Sequence, residues 1–214
     1  STNKVAKALA RLPGFDSKAA QSVSQRTNLT MNPARTGALL EHENDLYFIR
    51  FDGAQAVRLT LTPAKEELFT FSPDGEFVAF VREQNLFVVD LATRTERALT
   101  TDGAGDIRNG KADWIYFEEL YDRNWRAYWW SPDSRQIAFH RFDDSALPMF
   151  QALNTLPLHG KLESMRHPKA GDPNPAVKLG VVSAAGGEVR WMDFGDYAAG
   201  AFLFSQVGWF PKGE

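Results

Sequence analysis

The sequence predicts an all-β fold, a partial β-propeller carrying one short inserted helix. Three observations carry that expectation. Strand pairs recur at a fixed interval of 40 residues (86 − 46 = 40; 99 − 59 = 40). An aromatic–Ser–Pro–Asp turn appears twice, as Phe71-Ser-Pro-Asp-Gly75 and Trp130-Ser-Pro-Asp-Ser134. One interval in this rhythm is much longer than the others, and it holds two adjacent acids, Glu118 and Glu119, among aromatic residues.

Residues 1–36 lie outside the repeat and are expected to form a lead-in, part helical or disordered. Within it Lys4-Val-Ala-Lys-Ala-Leu-Ala-Arg-Leu12 is helix-competent, and Pro13-Gly14 ends the run. Residues 37–214 are expected to form an incomplete propeller domain. There Asp45-Leu-Tyr-Phe-Ile49 matches Asn85-Leu-Phe-Val-Val89, and Val57-Arg-Leu-Thr60 matches Arg97-Ala-Leu-Thr100. A third copy, Leu179-Gly-Val-Val-Ser183 with Arg190-Trp-Met192, follows the second by 93 residues (179 − 86 = 93). Each copy reads as strand, short polar turn, strand. After the two Pro-Asp turns a further strand begins, Phe77-Val-Ala-Phe-Val81 and Ile137-Ala-Phe-His140; Trp209-Phe-Pro-Lys-Gly213 reads as a third such turn. Four short antiparallel strands in each unit of roughly 40–45 residues describe a propeller blade. A β-sandwich with fortuitous similarity is the competing class. About three and a half blades can be drawn where closure typically takes at least ~4, so the chain is expected to be a piece of a larger propeller.

From Thr60 to Phe71 the gap is 11 residues, from Asp193 to Trp209 it is 16, but from Thr100 to Trp130 it is 30. Such excess in a repeat protein maps to loops, often on the binding face. It reads as a short helix near residues 113–122. Asp113 is a plausible N-cap, and Trp114, Phe117, Tyr121 and Trp125 follow at spacings of three and four. Glu118 borders that aromatic stripe, while Glu119 lies about 100° further round. Neighbours diverge on a regular helix, so two acids gripping one ammonium require a distorted or ending helix. Apolar surroundings make carboxylates costly without a cationic partner, and the nearest basic residue downstream is Arg123. The pair therefore suits an ammonium brought from outside, such as the free N-terminus of a peptide. Two solvated acids on an exposed helix face are the competing reading.

Composition removes several classes of function. A net charge of −3, from 24 basic and 27 acidic residues, offers no basic stripe for nucleic acid. The absence of cysteine excludes disulfides and thiolate metal sites. No apolar run approaches the roughly 20 residues of a spanning helix. His42-Glu43 begins like a zinc-helix motif, but Leu46 stands where the second histidine belongs, so no metal or cofactor is expected. His140, His159 and His167 are scattered and read as structural. Asp143-Asp144 reads as turn chemistry, Trp129-Trp130 as core, and Lys161 to Lys178 as an irregular connection between strands.

Four blocks together resemble one family. They are Asp113-Trp-Ile-Tyr-Phe-Glu-Glu119, Trp129-Trp-Ser-Pro132, Phe142-Asp-Asp-Ser-Ala-Leu-Pro148 and His167-Pro-Lys-Ala-Gly-Asp-Pro-Asn-Pro-Ala-Val-Lys178. Their order and spacing are similar to the N-terminal propeller of the dipeptidyl peptidase IV family, from about Leu46 onward. The resemblance implies an eight-bladed propeller stacked on an α/β-hydrolase domain, and a serine peptidase that releases X-Pro or X-Ala dipeptides. It implies that Glu118 and Glu119 bind the α-ammonium of peptide substrates with a free N-terminus. It also implies the hydrolase domain of the same longer chain as a partner, allows a homodimer, and favours a periplasmic or secreted setting while leaving the cytoplasm open. Two departures stand out. The family's substrate-holding arginine aligns with Leu61, leaving Arg58 and Arg82 as candidates by proximity. No Gly-x-Ser-x-Gly elbow occurs, so no catalytic residue is assigned and this chain alone is expected to hydrolyse nothing. A non-catalytic propeller that binds peptides or proteins is the alternative function.

Overall fold

A computed structural model describes residues 2–195 and 202–211 of the chain. Two helices come first, Thr2–Leu9 (α1) and Ser17–Ser24 (α2), the second capped by Asp16, whose side chain accepts from Ala19 N at 2.7 Å. Fifteen strands follow. Thr30–Met31 (β1), Gly37–His42 (β2), Asp45–Arg50 (β3) and Ala56–Arg58 (β4) form one antiparallel four-stranded sheet in that order. Glu66–Phe71 (β5), Phe77–Arg82 (β6), Asn85–Asp90 (β7) and Glu96–Ala98 (β8) form a second. The third sheet has five strands: Ile107–Asn109 (β9), Tyr128–Trp130 (β10), Gln136–Asp143 (β11), Ala176–Ser183 (β14) and Arg190–Trp191 (β15). Its order is β10-β11-β14-β15, with β9 paired to the end of β11. Between β11 and β14 the strands Met149–Asn154 (β12) and Lys161–Arg166 (β13) form a separate hairpin. The fold is a partial propeller: antiparallel meanders stacked face to face, with no closed barrel. Among the described residues no helix is long and apolar enough to cross a membrane.

Strand periodicity explains the stacking. Successive side chains point to opposite faces, so each inner strand serves two apolar layers. Leu39 and Phe48 face Val78 and Phe80 of the second sheet, while Leu40, Tyr47 and Ile49 face Val5, Leu9, Phe15 and Val23 of the helices. Ala79 and Val81 point the other way, toward Ile137 and Phe139 of the third sheet. Residues 2–36 are thus tied into the fold rather than free of it.

The repeated residues do repeated work. Leu46 N donates to Thr60 Oγ1 at 2.8 Å and Leu86 N to Thr100 Oγ1 at 2.9 Å, while Leu59 N and Leu99 N return to the carbonyls of Leu46 and Leu86. Ser72 Oγ and Ser131 Oγ each donate to the aspartate two residues on and accept the backbone N–H five residues on. Gly75 and Ser134 close these turns at positive φ, 77° and 62°. The first sheet has the same turn with Asn32 in place of serine. Asn32 Oδ1 accepts from Thr36 N and Gly37 N, and Arg35 holds φ at 55°.

Two expectations change here. The first blade begins at Thr30, before the boundary placed at 37, because β1 is only two residues long and its turn starts with Asn rather than Ser. The stretch from Lys161 to Lys178 is not wholly irregular: β13 occupies Lys161–Arg166 and pairs residue for residue with β12. Its many Pro and Gly residues are confined to 168–175, after that strand.

Candidate functional site: an acidic π-turn

The long interval holds one short helix, between β9 and β10. Asp113 is buried, and its carboxylate accepts from Ile115 N at 3.1 Å and Tyr116 N at 2.9 Å. It is the N-cap that the sequence suggests, and burial pushes its carboxyl above the usual carboxylate range. One turn later the helix widens. Tyr116–Leu120 is a π-helix, closed by Tyr121 N donating to Tyr116 O at 2.8 Å, five residues back. Both acids lie within that widened turn. The sequence required a distorted segment if two adjacent acids were to share one ligand, and a distortion is present.

Glu118 and Glu119 have different surroundings. Glu118 is half-buried, and its Oε1 lies 2.5 Å from Arg123 Nη2. Arg123 reaches it because Asp122 and Arg123 both adopt positive φ, 49° and 60°, turning the chain sharply back; Arg123 N donates to Phe117 O. Glu119 is exposed and has no hydrogen-bond or ion-pair partner among the described residues. One acid of the pair is therefore compensated and one is not, where the sequence suggested that neither was.

The aromatic stripe splits into two groups. Phe117 stacks on Trp125 with ring centroids 4.0 Å apart, and Trp114 packs against both. Tyr121 turns inward instead, against Tyr116, Trp129 and His140. Its hydroxyl lies 2.7 Å from His140 Nδ1. Tyr116, fully buried, accepts Phe204 N on its hydroxyl at 3.0 Å, and burial pushes its phenol up to about 12. Trp209 Nε1 donates to Trp129 O, so the segment 202–211 is tied to the turn at Phe204 and to β10 at Trp209. Trp129 is a packing residue, as its sequence context suggests, and so is Trp130, which stacks on Phe77.

His140 is structural, as the sequence suggests, but its contact with Tyr121 was not foreseen. It sits fully buried on β11 among Tyr116, Trp129, Phe142 and Phe204. Desolvation pulls its pKa down to about 3, so the ring is neutral at any ordinary pH. The signal available was the five-residue spacing of Tyr116 and Tyr121, which no regular helix face accommodates.

Both candidate arginines hold carboxylate partners. Arg58 is paired with buried Asp45 and donates to Thr60 O at 3.0 Å. Arg82 bridges Glu66 and Glu96 and lies over the Phe87 ring. Leu61 is exposed. In the Asp143-Asp144 pair, Asp143 accepts Ser145 N in a local turn, whereas Asp144 is buried against Arg108 at 2.6 Å. On the flank of the π-turn, Trp114 and Trp125 line a hollow of about 410 Å³ together with Arg108, Lys111, Met149 and Arg166. Its cations are matched by Asp144, Glu67 and Asp106 respectively.

Comparison with known proteins agrees with this architecture. A family model described as the dipeptidyl peptidase IV (DPP IV) N-terminal region matches residues 43–214. A probable dipeptidyl peptidase 4 of Aspergillus clavatus is 35% identical over 149 residues, 66% of this chain and 19% of that protein. Dipeptidyl aminopeptidase B of Saccharomyces cerevisiae is 31% identical over 153 residues, covering 69% of this chain and 19% of its own length. The crystal structure of Porphyromonas gingivalis dipeptidyl peptidase 4 superposes with a TM-score of 0.70 at 27% identity, over 87% of this chain and 27% of that one. The chain thus spans about a fifth to a quarter of the length of these relatives. The match over residues 43–214, together with stacked antiparallel blades and an acid-bearing insert, places the chain in the dipeptidyl peptidase IV N-terminal region family.

Proposed function

We propose that this propeller is the substrate-recognition part of a dipeptidyl peptidase IV-like serine exopeptidase, and that Glu118 and Glu119 anchor the α-ammonium of the substrate. The observation that carries the reading is the π-turn, which puts two adjacent acids in one widened helical turn, one of them without a cation of its own among the described residues. An ammonium has three donors and can bridge both carboxylates. Anchoring it at a fixed distance from a nucleophile turns the site into a ruler, so that cleavage falls a set number of residues in. The nucleophile belongs, on this reading, to an α/β-hydrolase domain of the same longer chain, since this chain contains no Gly-x-Ser-x-Gly elbow.

The test uses the full-length protein and a Gly-Pro chromogenic amide. Glutamine keeps the shape of glutamate and removes its charge. A charge-assisted hydrogen bond is worth about 1.5–3 kcal/mol, so Glu118→Gln and Glu119→Gln are each expected to lower kcat/KM by roughly 10- to 150-fold. The double variant should lose more than either but less than their product, because both acids share one ligand. Wild-type rates in both single variants would reduce the pair to surface acids.

A further inference from the structure

The direction in which a helical acid points depends on the register of its turn, and here that register is unusual. In an α-helix, residues five apart diverge by about 140° at 100° per residue. Tyr116 and Tyr121 could not then face the same side. In this structure they do: their ring centroids are 5.5 Å apart, and both rings border His140, at 5.9 and 6.2 Å. The widened turn is what lets both tyrosines bury together.

Three residues hold that turn. Asp113 fixes its start through the N–H groups of Ile115 and Tyr116. Tyr116 is pinned by Phe204 N. The end is held by Tyr121, whose N–H closes the π hydrogen bond and whose hydroxyl meets His140 Nδ1. His140 cannot yield easily. Its N–H donates to Ala127 O and its carbonyl accepts from Gly110 N, both at 2.9 Å, and its strand pairs with β9, β10 and β14. The imidazole Nε2 is buried with no partner, so the Tyr121 hydroxyl is the ring's one polar contact among the described residues.

We propose that Tyr121, locked by His140, is a positioning residue for the amine anchor: it fixes the π-register and so the direction in which Glu118 and Glu119 present their carboxylates. The proposal rests on the anchor reading given above. Without the hydroxyl contact, Tyr121 gains freedom to leave the Tyr116 face, and the turn can tighten to α-register, which rotates the acids relative to Asp113.

The experiment is a double-variant cycle in the full-length protein with Gly-Pro p-nitroanilide. Tyr121→Phe keeps the ring and removes the hydroxyl. It is expected to raise KM about 10-fold, the worth of one buried hydrogen bond, with kcat changed far less. In the Glu118→Gln/Glu119→Gln background the same substitution should have no further effect on KM, because the acids it positions are gone. His140→Leu should reproduce Tyr121→Phe. His140→Asn, which keeps an acceptor near the position of Nδ1, should recover most of the loss. A Tyr121→Phe loss of equal size in both backgrounds would show a general structural effect and overturn the proposal, as would an unchanged KM in the otherwise wild-type protein. If the Gln pair itself costs nothing, the anchor reading fails first, and the proposal falls with it.

Discussion

Glu118 already has a cation, since its Oε1 holds Arg123 at 2.5 Å. The Arg123 side chain is 73% exposed, and exposed ion pairs contribute only about 0.2–1 kcal/mol. Under the proposed anchor, an arriving ammonium shares or displaces the guanidinium at that small cost. Arg123→Ala should therefore change kcat/KM for a free-amine substrate by less than about 5-fold, well below the effect of Glu118→Gln; parity between the two would mean that Arg123 is itself part of the anchor. His140 gives a residue-scale prediction in pH. Burial lowers its pKa to about 3, against about 6.5 unfolded, so between these values the unfolded chain binds more protons. The stability it contributes is complete above about pH 6.5 and is lost as pH falls toward 3, at up to ~1.4 kcal/mol per pH unit. Asp113 and Asp144, raised by burial, act in the opposite sense, so the share of His140 is read as a difference. In urea unfolding between about pH 6 and 4, His140→Asn should remove close to one proton from the slope of stability against pH; an unchanged slope would contradict a buried neutral ring. The cap at Asp113 was legible from residue type and spacing. The contact of His140 with Tyr121 was not, because a lone histidine in an apolar strand looks like core, and its partner lies 19 residues back across a turn whose register no three-four spacing reveals.

The blade is the element that the sequence discloses most fully, and the reason lies in its backbone accounting. A buried inner-strand N–H needs an acceptor after the strand pairing runs out, and the Leu-Thr dipeptide supplies one at Thr60 and Thr100. That necessity keeps the dipeptide at a 40-residue offset. Thr100→Val preserves shape but strands the N–H of fully buried Leu86, so it should cost about 1–3 kcal/mol in urea unfolding; a loss below ~0.5 kcal/mol would show that Leu86 N finds another acceptor. The elements that stayed hidden deviate in chemistry rather than in geometry. The first blade's turn uses Asn32 where the others use serine, although Pro33 lies 40 residues before Pro73 (73 − 33 = 40). Strand β13 was masked by the Pro- and Gly-rich run that follows it, and its alternating burial is weak because the hairpin β12–β13 has little core to face. Helix α2 has no wide apolar stripe, and buries only Ala20 and Val23.

Seen whole, the molecule is a stack in which each sheet lends one face to the layer before it and one to the layer after. The helices close one end of that stack, against Leu40, Tyr47 and Ile49, and the π-turn packs with Ala112, Ala127 and with Phe142 of the third sheet. The insert that carries the acids is backed by the best-paired strand of that sheet, β11, through His140 and Phe142, which suits the proposed anchor and its fixed distance. The central claim is that this fixed point recognises a positive charge on the substrate. The most direct measurement is the ratio of kcat/KM for Gly-Pro p-nitroanilide to that for its N-acetyl analogue, taken in the full-length protein and in its Glu118→Gln/Glu119→Gln variant. The account predicts a large ratio in the wild type and a fall of at least about 10-fold in the variant, caused by loss on the free amine alone. A ratio that is the same in both proteins would contradict it.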